Sequence, residues 1–105
     1  MEDKIVLSDG KEYILSTLNV KDLIEIEEKF KSTTLDTSKI ENIMYWVWLS
    51  LKKKNEITFD AMCELMDMPY ISSGGLNDII TKMTKINKWD ALPKNELAPK
   101  AEKSS

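Results

Sequence analysis

Few side chains in this sequence are suited to catalysis or to holding a metal ion. The chain of 105 residues has no histidine and no arginine, so all fifteen basic residues are lysine. Histidine is the commonest general base and metal ligand, and arginine supplies the bidentate contacts that recognise phosphate and guanine. The net charge of −3 also opposes binding to nucleic acid. We therefore predict a protein that does not bind nucleic acid.

Carboxylates are the remaining candidates for chemistry. Two groups stand out, Asp60, Glu64 and Asp67 as acid–base residues and Glu25, Glu27 and Glu28 as metal ligands. Both groups have the spacing of the solvent-exposed side of a helix, and no glycine-containing loop accompanies the second group to wrap an ion. We therefore predict that the protein is not an enzyme and has no catalytic residue, metal site or cofactor.

Cys63 is the single cysteine, so the chain cannot form an internal disulfide. It lies among apolar positions of a predicted helix, and we interpret it as a packed, unreactive thiol rather than a nucleophile. The chain begins Met-Glu-Asp-Lys, which lacks the charge pattern of a secretory signal, and no apolar run reaches the length of a membrane span. We expect a cytoplasmic protein that does not contact a membrane.

The elements that position these side chains are organised around residues 40–51, the most apolar stretch, with two tryptophans and a tyrosine. One stripe at helical spacing predicts the face that packs into the core: Ile40, Ile43, Met44, Val47 and Leu51. A second stripe consists of Tyr45, Trp48 and Leu49, with Trp46 near its boundary. A helix that is apolar around most of its circumference must be covered, by its own chain or by a partner. Both alternatives stay open, and the candidate partner-binding residues are Tyr45, Trp46, Trp48 and Leu49.

The N-terminal third predicts a β-hairpin followed by a helix. Strands on either side of Asp9-Gly10 are expected to meet in a type I′ turn, because this residue pair tolerates positive φ at both central positions. Asn19 is expected to cap a helix that ends at Phe30 or Lys31, with Asp22 completing a capping box. The predicted buried side of this helix is Val20, Leu23, Ile24 and Phe30.

The remaining elements are three further helices. The central helix is predicted from about Ser38 to Lys53, capped by Asp36 or Thr37, with its last lysines favoured by the helix dipole and Asn55 as a left-handed stop. Thr58 is expected to cap a helix that ends near Met66. The last helix begins either at Pro69 or after Gly75, and the spacing of its apolar residues favours the longer form.

These elements predict an α+β, mostly α fold in which an N-terminal hairpin packs on a bundle of about four helices. Residues 1–88 are expected to form one globular domain, and residues 89–105 a flexible, disordered tail whose Trp89 packs back on the domain. The tail contains two prolines and no periodic apolar positions.

The order of elements resembles that of the small tail assembly chaperones of long-tailed bacteriophages and prophages. The resemblance covers about residues 4–88. It rests on the hairpin Val-Leu-Ser-Asp-Gly-Lys-Glu-Tyr, the acidic helix, the Trp-Leu-Ser-Leu helix end, the Ile-Thr-Phe segment and the Glu-Leu-Met-Asp helix end.

The resemblance implies a non-enzymatic protein of the host cytoplasm that self-associates and is absent from the finished virion. It implies binding to the tape measure protein before tail tube subunits polymerise around it, with the tail tube protein as a further partner. A longer product of ribosomal frameshifting often accompanies the short form in this family. The alternative from the residues alone is a small phage-encoded inhibitor or adaptor that binds a host protein.

Overall fold

A computed structural model describes residues 2–89 of the chain. The elements are β1 (Glu2–Val6), β2 (Glu12–Ser16), α1 (Val20–Phe30), α2 (Ile40–Leu51), α3 (Phe59–Leu65), α4 (Met68–Ser72) and α5 (Gly75–Asn87). The predicted α+β, mostly α fold is confirmed, with an antiparallel hairpin followed by five helices. The prediction of a flexible tail concerns residues that, Trp89 apart, lie outside the described part of the chain.

The hairpin closes through a longer loop than the sequence predicts. Ile5 pairs with Tyr13 across the two strands. The N–H of Gly10 donates to the carbonyl of Leu7 at 2.9 Å, and Gly10 has a φ of 79°. Asp9 does not have positive φ, so the predicted type I′ turn is wrong. The loop reverses the chain with a single residue in the left-handed conformation. Glycine occupies that position because it has no Cβ to clash.

The outer edge of β2 is covered by the side chain of Asn55. Its Oδ1 accepts the Ile14 N–H at 3.2 Å, and its Nδ2 donates to the Ile14 carbonyl at 2.8 Å and to the Leu51 carbonyl at 2.7 Å. The prediction of a left-handed Asn55 is wrong, because Lys31 and Lys88 are the non-glycine residues with positive φ in residues 2–89. Asn55 therefore satisfies the last carbonyl of α2 with its side-chain amide and not by adopting a left-handed backbone.

The outer edge of β1 is covered in a similar way by helix side chains. Lys82 Nζ donates to the Lys4 carbonyl at 2.8 Å, and the Tyr70 hydroxyl donates to the Val6 carbonyl at 2.7 Å. Free main-chain groups on a strand edge invite pairing with another chain. These contacts occupy two of the carbonyl groups that such pairing requires.

The predicted buried side of α1 is correct in part, because Leu23 and Phe30 pack against the core. The capping box is confirmed, since Asn19 accepts the Asp22 N–H and Asp22 accepts the Asn19 N–H. However, Val20 is 68% exposed and Ile24 is 51% exposed, whereas Asp22 is buried. Asp22 is paired on that side of the helix, since Lys53 Nζ, two residues after the end of α2, lies 2.7 Å from its Oδ2.

α2 begins later than predicted and without a side-chain cap. Its N-cap residue is Lys39, which makes no capping hydrogen bond. Asp36 instead accepts the N–H of Ser38 at 3.0 Å and its hydroxyl at 2.6 Å, so the predicted cap stabilises the turn before the helix. The predicted Thr58 cap of α3 is confirmed by its bond from the Ala61 N–H.

The predicted continuous helix from Pro69 onward is wrong. α4 ends at Ser72 and α5 begins at Gly75, with Gly74 at a φ of 96° between them. That conformation is accessible to glycine without strain. Gly75 is also required for packing, because a Cβ at this position would overlap the ring of Tyr70. The apolar spacing on both sides is helical, but the two glycines form a break.

Candidate functional site

Two of the four predicted partner-binding residues lie inside the core. Leu49 is fully buried, and Trp46 packs edge-on against Trp89 with ring centroids 5.5 Å apart. The packing of Trp89 on the domain agrees with the prediction. Because its own chain covers them, Trp46 and Leu49 are not accessible to a partner in this fold. This corrects their selection as contact residues.

Tyr45 and Trp48 are partly exposed members of an aromatic cluster that also contains Phe30 and Phe59. The Tyr45 ring lies 5.6 Å from that of Phe30 and 5.7 Å from that of Trp48, and Trp48 meets Phe59 at 6.0 Å. The contacts with Phe30 and Phe59 are edge-to-face and that between Tyr45 and Trp48 is tilted, and such contacts stabilise a cluster beyond its buried area. The Trp48 indole N–H donates to the Ile57 carbonyl at 3.0 Å, so this side chain is fixed.

Lysines from the end of α2 connect this cluster to α1. Lys52 Nζ lies 3.6 Å from Glu25 and 4.5 Å from the centre of the Trp48 ring. Glu25 also accepts the Tyr45 hydroxyl at 2.5 Å. The sequence predicts these lysines only as a favourable charge at the helix end. The structure adds specific partners for them, including an ion pair of Lys54 with Glu2.

Tyr45 is expected to ionise near pH 12 in the folded protein. Burial, reinforced by the hydrogen bond to Glu25, raises the pKa of Tyr45 from 10.0 to about 12. A raised pKa of an acid means that its contribution to stability is complete below about pH 10 and is lost as the pH rises towards 12. In a titration of tyrosinate absorbance, Tyr45→Phe should remove the most alkaline step. An unchanged titration curve would contradict the assignment.

Next to the aromatic cluster lies an apolar groove between α2, α3 and α4. Its volume is about 280 Å³, and its walls are Ile40, Glu41, Met44, Phe59, Cys63, Met66 and Ile71. Phe59 belongs to both features, since its ring also contacts Tyr45 and Trp48. Glu41 is the one charged residue in the lining. We call this feature the α2–α4 groove.

Ile40 is a groove residue for which the prediction of burial is wrong. It belongs to the predicted core stripe, yet it is 58% exposed. Met68, at the start of α4, is another large exposed apolar side chain. Helical periodicity identifies the correct side chains but not the neighbour that covers them. The sequence does indicate the other wall, because Phe59 and Cys63 are four residues apart on one face of α3 and Met66 follows at its C-cap.

The Cys63 thiol in this groove is expected to react slowly. Burial raises its pKa, and the negative charge of Asp60 raises it further. Since the thiolate is the nucleophile, Cys63 should be alkylated several-fold more slowly than free cysteine at mildly alkaline pH, and the difference should disappear on unfolding. Mass spectrometry of the time course tests this, with Cys63→Ala as the blank. Labelling at the rate of free cysteine would contradict it.

The carboxylates considered as chemical sites have ordinary structural positions. Asp67 caps α4 by accepting the Tyr70 N–H at 3.0 Å, and Asp60 and Glu64 lie exposed on α3. Glu27 and Glu28 are exposed on α1. Within residues 2–89, no group of three histidine, cysteine or acidic residues is arranged to hold a metal ion. The α2–α4 groove is therefore the feature best suited to binding.

Comparisons with protein-family models, with curated proteins and with solved structures find no match for this chain. Among the described residues, none of the helices combines the length and the apolar character needed to cross a bilayer. An account of function therefore depends on the surface itself and on the resemblance in element order.

Proposed function

We propose that this protein is a phage tail assembly chaperone that self-associates and binds the tape measure protein in the host cytoplasm. The observation that carries the proposal is the open α2–α4 groove, with its almost wholly apolar lining and the exposed Ile40 at its wall. The resemblance of residues 4–88 to such chaperones supplies the class of client. In this proposal the protein performs no catalysis and requires no cofactor.

The chemistry of the groove suits a chaperone for a long client. Met44 and Met66 line the groove although each is only 5% exposed, and their flexible, polarizable side chains can adapt to different apolar partners. Phe59 provides a large rigid contact area, supported from behind by Tyr45 and Trp48. A groove with one rigid and several adaptable walls can accept many similar segments rather than one sequence. A tape measure protein with repeated apolar helices would present such segments.

The proposal is tested by co-purification with the tape measure protein encoded nearby and by light scattering of the isolated chaperone. We expect an oligomer that retains the client. Ile40→Asp should weaken client retention by about tenfold or more, because it places a charge in an apolar contact. The matched control is Ile24→Asp, which changes an equally exposed isoleucine on α1. A strict monomer without affinity for the client would refute the proposal.

A further inference from the structure

The charge distribution around the α2–α4 groove indicates the chemistry of its occupant. Residues 55–81, which include α3 and α4, contain no lysine, although the chain has fifteen. The same range contains five acidic residues, Glu56, Asp60, Glu64, Asp67 and Asp78. α2 contains no lysine either. The segment that contains α3 and α4 therefore carries acidic residues and no basic ones.

Two of these acidic residues flank the groove directly. On α3, Asp60 and Glu64 each follow a groove-lining residue, Phe59 and Cys63, by one position. One position corresponds to a rotation of about 100° around a helix, so both carboxylates lie beside the apolar stripe. Both are exposed, and neither takes part in an ion pair within residues 2–89.

The opposite wall of the groove carries charges of both signs, since Lys39 precedes its lining residue Ile40 by one position. Glu41 of α2 is part of the lining, and its only ion pair among the described residues is with Lys29 at 3.7 Å. Both side chains of this pair are well exposed, so it is weak and can exchange for another cation. An occupant with positive charge beside an apolar centre would meet the carboxylates of Asp60 and Glu64 on the α3 wall.

The shape of the groove favours a helix over an extended strand. Ile40 and Met44 are four residues apart on one wall, and Phe59, Cys63 and Met66 span seven positions on the other. Such ridges of helical side chains accept the side chains of a further helix, and the longer wall spans about 10 Å, or two helical turns. The groove is formed by helices alone, so it provides no strand edge for an extended peptide.

We propose that the α2–α4 groove binds an amphipathic helix whose apolar stripe is flanked by lysine or arginine on the side that faces α3. If the proposed function holds, this helix belongs to the tape measure protein, and the segments of that protein that are bound are its amphipathic helices with flanking lysine or arginine. The apolar stripe provides the affinity, and the flanking cations select the segment and its orientation.

The test uses two synthetic helical peptides with the same two-turn leucine stripe, one flanked by lysines and one by glutamates. Fluorescence anisotropy at low salt should show about tenfold tighter binding of the lysine peptide, with a smaller ratio at high salt. The lysine peptide should also slow alkylation of Cys63, because this thiol lies in the groove wall. Equal affinity for both peptides, or unprotected Cys63, would overturn the inference.

Charge-reversed variants locate the interaction. Asp60→Lys combined with Glu64→Lys should reverse the preference between the two peptides. Glu27→Lys combined with Glu28→Lys makes the same change in net charge on exposed residues of α1 and should leave the preference unchanged. Circular dichroism checks that both variants stay folded. If both double variants behave alike, the selectivity arises from net charge and not from the groove.

The same variants separate this inference from the proposed function. If the tape measure protein is retained equally by the wild type and by the Asp60→Lys, Glu64→Lys variant, the inference fails and the proposed function stands. If the lysine peptide binds but the tape measure protein does not, the proposed function fails and the inference stands. Dissociation of a homo-oligomer by the lysine peptide would identify the occupant as a second copy and overturn the inference.

Discussion

Replacing Leu49 by alanine is expected to lower the free energy of unfolding by about 2–5 kcal/mol, because the truncation leaves a cavity in a packed core. Leu49 is 0% exposed on the helix that its own chain surrounds most completely. The same truncation at Ile40, at the other end of this helix and 58% exposed, should cost no more than about 1 kcal/mol. Helical periodicity alone predicts the opposite result, because it places Ile40 in the core stripe and Leu49 among the candidate partner-binding residues.

Chemical denaturation followed by tryptophan fluorescence and circular dichroism measures both variants. For Leu49→Ala the midpoint should fall with little change in slope, as expected for a loss of stability in a two-state domain. The size of the fall in the midpoint shows whether Leu49 packs in the core or belongs to an interface. A Leu49→Ala variant with wild-type stability would mean that Leu49 is not packed in the core and would return it to the candidate interface.

Local signals in the sequence are sufficient for most of the fold. Asn19 with Asp22, and Thr58, satisfy the free N–H groups of the helix that each begins, within three residues of sequence. These predictions are correct because the interactions that determine them are between near neighbours.

The errors arise where distant residues decide between two local solutions. Asp22 of α1 is predicted on the exposed side of the helix, yet it is buried and paired with Lys53, thirty-one positions away. In the same way, Trp46 is covered by Trp89, forty-three positions later. Periodicity describes one helix at a time, so it cannot indicate which of two apolar stripes a remote element covers. The prediction of the candidate site is the least accurate, because a groove consists of the helix faces that no other element covers.

Replacing Asn55 by alanine is the second change with a large expected effect, a loss of about 2–4 kcal/mol from three side-chain hydrogen bonds. Two of these bonds satisfy the main chain of Ile14 and one satisfies Leu51. Asn55→Asp should be no better, since a carboxylate has no N–H for the two carbonyl groups. Thermal and chemical denaturation measure the loss. Asn77→Ala, at an exposed position of α5, is the control and should change stability by less than about 0.5 kcal/mol.

The same substitution should change how the protein associates, because it exposes the N–H and carbonyl of Ile14 on the edge of β2. An uncovered edge of this kind pairs with strands of other molecules. Light scattering should therefore detect concentration-dependent growth of Asn55→Ala that Ile40→Asp does not suppress, since its origin is a strand edge. Self-association of the wild type through helices should instead respond to Ile40→Asp. Wild-type stability and association in Asn55→Ala would show that its amide does not protect the edge.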